Sequence, residues 1–147
     1  MSARSPRGLE PADEARLVEA ARAVRGHAHA PYSRYQVGAA LLTRAGHVYA
    51  GCNVENATYG ATLCAERSAV AAMVAAGDRE PIACAVVTAG PRPGAPCGIC
   101  RQVLIEFTRE ARKFKVVMVA EDSRGKITAK KTGWLAELLP SAFRLER

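Results

Sequence analysis

The spacing of apolar positions changes several times along the chain, and each change marks an element. From Pro11, PADEARLVEAARAVRGHAHA places Leu17, Val18, Ala21 and Val24 at helical spacing, with Asp13 and Glu14 in the first turn; Pro31 ends any continuation. VGAALL (37–42) and HVYAGC (47–52) flank Arg44-Ala45-Gly46, which predicts a β-hairpin. Residues 53–63 show no period and read as a loop. Cys64 to Ala76 reads as a helix stopped by Gly77, and its stretch SAVAAMVAA (68–76) has no charge on any side. A helix apolar all round is a buried one, so this stretch predicts a second partner beyond a sheet, such as another subunit. IACAVVTA (82–89) predicts a central strand, CGICRQVLIEFT (97–108) a second helix, KVVMVA (115–120) a further strand, and Gly133 to Leu139 a short terminal helix. Strands alternating with helices predict an α/β fold built as a helix–sheet–helix sandwich.

The chain has 147 residues, the length of one domain, and the pattern predicts a single domain over 11–147 after a short mobile arm at 1–10. No stretch approaches the ~20 apolar residues of a membrane span. The start, MSARSPRGLEPADEA, lacks the apolar run of a secretory signal, so a reducing, cytoplasmic setting is expected. The net charge of +7 raises the question of a nucleic-acid partner. The excess is concentrated in 109–131, where Arg109, Arg112, Lys113, Lys115, Arg124, Lys126, Lys130 and Lys131 stand against three acidic residues. Only Phe114 interrupts that segment with an aromatic ring, whereas a single-strand platform needs aromatics among its basic groups. A solvated surface is the better reading, and nucleic acid is not the expected partner.

Five cysteines exclude a complete intramolecular disulfide framework, and clustered cysteines in a reducing setting point to metal or catalysis. Cys52 and Cys84 sit in apolar strand runs and read as core residues. His27 and His29 lie near the end of the first helix and read as surface groups. Cys64, Cys97 and Cys100 remain. Cys97 and Cys100 are one helical turn apart and can face one ion. Cys64 and Cys97 each open a helix, where the partial positive charge favours thiolates. Three thiolates without an obvious fourth ligand suit a catalytic Zn²⁺, because structural sites usually close with a fourth Cys or His. Glu66 is placed to handle protons beside the metal without ligating it. Arg67 can withdraw charge from thiolate sulfur and so restore acidity to a bound water, with Gln102 as further support from behind the ligands.

At these residues the sequence resembles the cytidine deaminase family, in its small homotetrameric, three-cysteine branch. The resemblance runs from about Ala30 to Phe143 through PYSRYQVGAALL, GCNVENATYG, CAERSAV, PCGICRQVL and ELLPSAF. A ligand, a glutamate two residues later and a downstream P-C-x-x-C is the zinc-deaminase pattern. The resemblance implies a three-layer α-β-α sandwich with a mixed central sheet of about five strands. It implies one zinc per subunit on Cys64, Cys97 and Cys100, with Glu66 as the proton shuttle. It implies that Asn53 and Glu55 grip the ribose hydroxyls, that the Ala65 backbone contacts the base, that Tyr59 lines the site near a subunit boundary of a homotetramer, and that Phe143 enters a neighbouring subunit's pocket. Two positions depart from the pattern. Tyr35 stands where PYSxF usually has Phe, adding a hydroxyl to the ring expected near the pyrimidine. Ser141 stands where Gly is common.

The implied reaction is hydrolytic deamination of cytidine and 2′-deoxycytidine to the uridine forms, with ammonia released, serving pyrimidine salvage. A deaminase of a modified nucleoside such as blasticidin S is an alternative that would leave Asn53 and Glu55 without a ribose. A polynucleotide deaminase would need a track for flanking nucleotides. A non-catalytic zinc-stabilised module would have no use for Glu66 and Arg67 beside an open-looking site.

Overall fold

The structure, a computed structural model, describes residues 9–146. The expected arm therefore falls mostly outside the described residues. Helix α1 (Pro11–Arg25) has proline in its first turn with Asp13 and Glu14, and Arg22 and Arg25 in its last. Proline costs nothing where the N–H has no intrahelical partner, and the charges complement the helix dipole at each end. Strands β1 (Gly38–Thr43) and β2 (Val48–Cys52) form the expected hairpin, closed by Thr43 N donating to the His47 carbonyl at 2.9 Å. Gly46 takes φ +88° in the turn, a conformation that favours glycine. Then come α2 (Ala65–Ala75), β3 (Pro81–Ala89), α3 (Gly98–Phe107), β4 (Lys115–Glu121), β5 (Ile127–Trp134) and α4 (Leu135–Leu138).

The five strands form one sheet in the order β2-β1-β3-β4-β5. Only β3 and β4 are parallel; the other neighbours are antiparallel. A parallel pair needs a crossover, which here runs through α3. Alternate residues of the central strands divide between two cores. Ala39, Leu41, Cys84, Val86, Val116 and Met118 pack with Ala65, Ala69, Val70 and Met73 of α2 and Leu104 and Ile105 of α3. Ala40, Leu42, Ala83, Ala85, Val87, Val117 and Val119 pack under Leu17, Val18 and Ala21 of α1. Helices thus cover both faces, and β1, β3 and β4 read as continuous apolar runs because both of their sides are buried. The expected three-layer sandwich with a mixed five-stranded sheet is the observed fold.

One expectation changes, and one helix face stays open. The terminal helix is four residues long, and Gly133 and Trp134 belong to β5, a strand that the pattern did not predict. ITAKKTGW lies at the sheet edge and is mostly exposed, so neither face needs to be apolar. The charge-free stretch 68–76 is not buried all round in the single chain. Ala69, Val70 and Met73 are buried, while Ala71, Ala72, Ala75 and Ala76 are exposed. The alanines leave an uncharged face of α2 open in the single chain, on the stretch where the sequence expects a second partner.

Two glycines set how closely the layers approach. A Cβ on Gly51 in β2 would lie 2.3 Å from the Ala69 amide nitrogen of α2. A Cβ on Gly38 in β1 would lie 2.0 Å from the Ala21 carbonyl oxygen of α1. Both are needed for space, so that backbone packs on backbone.

Candidate active site and metal centre

The site forms where α2 and α3 begin. Cys64 and Cys97 occupy the positions just before the two helices, both with extended backbone. Their carbonyls accept the first intrahelical bonds, from Ser68 N and Arg101 N, each at 3.0 Å. Cys100 follows one turn into α3 and is fully buried. The sulfurs of Cys64, Cys97 and Cys100 all lie within 4.8 Å of one another. Cys64 to Cys97 is 3.9 Å and Cys97 to Cys100 is 3.5 Å. Tetrahedral zinc, with bonds of about 2.3 Å, sets its sulfur ligands about 3.8 Å apart. The three thiols therefore fit a zinc ion. Cys52 and Cys84 lie elsewhere, in β2 and β3, and burial pushes the Cys84 thiol well above its usual range.

The electrostatics favour a thiolate here. The neighbouring Cys100 thiol and then the Arg67 guanidinium, against the cost of burial, bring the Cys64 thiol down to about 5. Arg67 Nη2 donates to Cys64 Sγ at 3.3 Å and to the Thr62 carbonyl at 3.3 Å. The contact with Cys64 raises the Arg67 pKa in turn, keeping the cation fixed. Arg67 Nε is buried with no hydrogen-bond partner among the described residues. Cys100 is shifted upward by the neighbouring Cys64 sulfur, by burial and by the Glu66 carboxylate.

Glu66 is 4% exposed, a carboxylate carried inside the first turn of a helix. Its Oε2 is 3.6 Å from Cys100 Sγ. Burial raises its pKa above the ordinary carboxylate value, with the Cys64 charge adding to the effect. A buried carboxyl that holds its proton more tightly, placed at a thiol cluster, is suited to exchange protons with a group bound there. Ala65 is fully buried between Cys64 and Glu66.

The other residues singled out by the sequence lie on neighbouring loops and on the C-terminal segment. Val54 bridges to Leu63, which puts the 53–55 segment beside the chain entering Cys64. Asn53 is 8% exposed; its Oδ1 accepts from Val37 N at 2.9 Å and its Nδ2 donates to the Tyr35 carbonyl at 2.8 Å. Glu55 accepts from Tyr32 N, Ser33 N and Ser33 Oγ, at 3.0, 3.1 and 2.5 Å. The Ser33 hydroxyl and amide hold the half-buried Glu55 carboxyl below its usual range. In this structure both side chains brace the 32–37 loop. Tyr35 Oη lies 3.1 Å from the place a Gly94 Cβ would take, on the loop that leads to Cys97. Gly94 N in turn donates to Thr88 Oγ1 at 2.9 Å.

Tyr59 is 77% and Phe143 70% exposed, large rings that the single chain leaves open. The Tyr59 ring meets Tyr32 edge-on, with centroids 6.1 Å apart. Gln102, expected behind the cysteines, donates its amide to the Phe143 carbonyl at 3.0 Å and so holds the C-terminal segment. Sequence reasoning missed Ser33 and Thr88. Each acts through a hydroxyl whose partner is distant in sequence or on the backbone, so no spacing announces it.

The comparisons with known proteins agree with this geometry. The sequence model described as the cytidine and deoxycytidylate deaminase zinc-binding region matches residues 11–120. A cytidine deaminase of Halalkalibacterium halodurans is 43% identical over 134 residues, covering 91% of this chain and 96% of the relative. The crystal structure of cytidine deaminase from Burkholderia pseudomallei is 46% identical, with a TM-score of 0.76 over 88% of this chain and 98% of that one. Cytidine deaminase from Mycobacterium tuberculosis superposes with a TM-score of 0.72 at 36% identity, covering 90% of this chain and 98% of that one. The matched region contains all three clustered cysteines and the buried glutamate between them, and with that match the chain belongs to the cytidine and deoxycytidylate deaminase family.

Proposed function

We propose that this chain is a zinc-dependent hydrolase that converts cytidine and 2′-deoxycytidine to uridine and 2′-deoxyuridine with release of ammonia. One observation carries the reading: three thiols within 4.8 Å of one another at two helix starts, with the buried Glu66 carboxylate 3.6 Å from one of them. Cys64, Cys97 and Cys100 would hold one zinc per chain. Zinc held there would lower the pKa of a water toward about 7, the chemistry that supplies a nucleophile for C4 of the pyrimidine. Glu66 takes a proton from that water, delivers it to N3 of the pyrimidine, and then assists departure of the amino group. Arg67, bonded to Cys64 Sγ, draws charge from the sulfur and offsets the surplus of three thiolates.

Tyr35 offers its ring face to the base, and the Ala65 backbone lies between ligand and shuttle. Asn53 keeps one amide hydrogen and one oxygen lone pair beyond its bonds to the 35–37 segment, and Glu55 keeps a further acceptor position. These would meet the ribose hydroxyls. Gln102 supports the site indirectly, by holding the segment that carries Phe143. The exposed Tyr59 and Phe143 rings and the alanine face of α2 support a homotetramer whose active sites lie at subunit boundaries. We place the enzyme in pyrimidine salvage in the cytoplasm. Among the described residues no helix is long and apolar enough to cross a membrane.

Substrate choice is tested by following ultraviolet absorbance of zinc-loaded protein with cytidine, 2′-deoxycytidine, blasticidin S and a cytosine-containing single strand. Turnover of the two free nucleosides well above the others is expected. Preference for blasticidin S or for the strand would overturn the substrate assignment, and zinc binding without turnover of any would overturn the enzyme.

A further inference from the structure

The cysteine cluster and its loops leave unused a charged network on the opposite face of the sheet. Alternation along β4 places Glu121 in the row of Val117 and Val119, facing α1. It is 6% exposed at the end of the strand, where a register shift interrupts pairing with β5. A carboxylate so enclosed requires partners. Arg22 Nε donates to Oε2 at 2.9 Å and Arg25 Nη1 to Oε1 at 2.7 Å. The Arg22 guanidinium also reaches the Gly125 carbonyl.

Arg25 does more than balance charge. Its Nε donates to the Gln36 carbonyl at 2.9 Å. Gln36 adjoins Tyr35, whose carbonyl accepts from Asn53 Nδ2, and Val37, whose amide donates to Asn53 Oδ1. The segment carrying Tyr35 is therefore held from the site side by Asn53 and from the helix side by Arg25. The last turn of α1 sits directly on this segment's exit, since a Gly38 Cβ would come within 2.8 Å of Arg25 Cβ. One guanidinium thus joins a buried carboxylate to the loop bearing the ring expected to face the base. Without Glu121 the cation would lose its fixed orientation and turn toward solvent, releasing the Gln36 carbonyl.

We infer that Glu121, acting through Arg25, is a positioning residue for the Tyr35 loop and thereby sets how tightly the pyrimidine is held. This rests on the reading in which Tyr35 faces the base. Neither Arg25 nor Glu121 touches the cysteines or Glu66 in the contacts described, so the effect falls on substrate binding rather than on the proton transfers.

The test measures KM and kcat for cytidine, with melting temperature, in zinc-loaded Arg25→Lys, Glu121→Gln, Tyr35→Ala and the Arg25→Lys/Tyr35→Ala double variant. Lysine keeps a cation opposite Glu121 but lacks the fork that serves the carboxylate and the Gln36 carbonyl together. Both single variants of the network are expected to raise KM about five- to tenfold with kcat within about twofold, the net worth of one ordinary hydrogen bond. In the double variant, Arg25→Lys is expected to add nothing to the KM of Tyr35→Ala. A lowered melting temperature with unchanged KM in both network variants would reduce the pair to a structural tie and overturn the inference. If Tyr35→Ala raises KM while Arg25→Lys does not, the inference alone fails. If Tyr35→Ala leaves KM unchanged, the reading of Tyr35 fails first and takes the inference with it.

Discussion

Gly51→Ala adds one methyl group to a residue that has no role in the reaction, yet it tests how the fold sets the site. Gly51 faces the α2 side of β2, opposite Ala39 of β1. Its new Cβ would meet Ala69 N at 2.3 Å, Ser68 C at 2.7 Å and Ser68 Cβ at 2.7 Å. Ordinary contact begins near 3.4 Å, so α2 must withdraw by roughly 1 Å at this point. The obstructing atoms belong to the helix backbone and to a Cβ, and none can swing aside. The neighbouring tie, Ser68 Oγ donating to the Cys52 carbonyl at 2.8 Å, would stretch with the helix. Overpacking of this kind costs about 1–3 kcal/mol, and with backbone on the receiving side about 3 kcal/mol is expected. For a domain of this size that corresponds to a fall in melting temperature of roughly 10 °C. Because the first turn of α2 carries Glu66 and follows Cys64, a shift of about 1 Å is also expected to cost about 10²-fold in kcat/KM in protein that remains folded. Thermal melts, zinc content and steady-state kinetics of the purified variant provide the assay. A variant with native melting temperature and native turnover would show that β2 and α2 can part freely, and would refute the close-approach argument.

Three further outcomes follow from the same structure. Chelation of zinc, or Cys97→Ser, is expected to abolish turnover, and readdition of zinc to the chelated native chain to restore it; full activity in metal-free protein would contradict the three-thiol assignment. Glu14, held by Lys115 at 2.8 Å and by Lys130, has its pKa lowered chiefly by the Lys115 hydrogen bond and then by Lys130. Its stabilising contribution is therefore present above the ordinary value near 4.5 and lost as pH falls through the lower folded value. The gap in melting temperature between native protein and Glu14→Gln should close over that acid window, and a gap that widened there would contradict the assignment. Ser141 adopts φ +53°, where an L-residue is strained. Ser141→Gly exchanges that strain for unfolded-chain freedom, and a net gain of about 0.5 kcal/mol in denaturant unfolding is expected, whereas a clear loss would refute the strain argument.

Much of this was legible along the chain, for definable reasons. Leu17, Val18 and Ala21 announce α1 because only one of its faces is apolar. VGAALL and IACAVVTA announce central strands because helices cover both sides of them. Cys97 and Cys100 announce a metal centre because their spacing fixes both on one side of a helix, and Cys64 joins them through a second helix start. The edge strand β5 is silent, since its mostly exposed residues need no alternation and its lysines read as a solvated surface. The bracing done by Asn53 and Glu55 was also silent: the residues stand out, but their partners Val37, Tyr35 and Ser33 are chosen by how the loop folds back. Arg25 and Glu121 are 96 positions apart, and their pairing depends on α1 crossing the end of β4. Local pattern carries no information about such a contact.

The central claim is that one site, built from three thiols and a buried glutamate, deaminates cytidine. Its most direct test measures uridine and ammonia formed from cytidine by the native chain and by Glu66→Gln, each with its zinc content determined. The account predicts equal amounts of uridine and ammonia from the native chain, and one zinc per chain in both proteins. It predicts turnover at least about 10²-fold lower in the variant. Native-like turnover by zinc-loaded Glu66→Gln, or no uridine from fully zinc-loaded native protein, would contradict it.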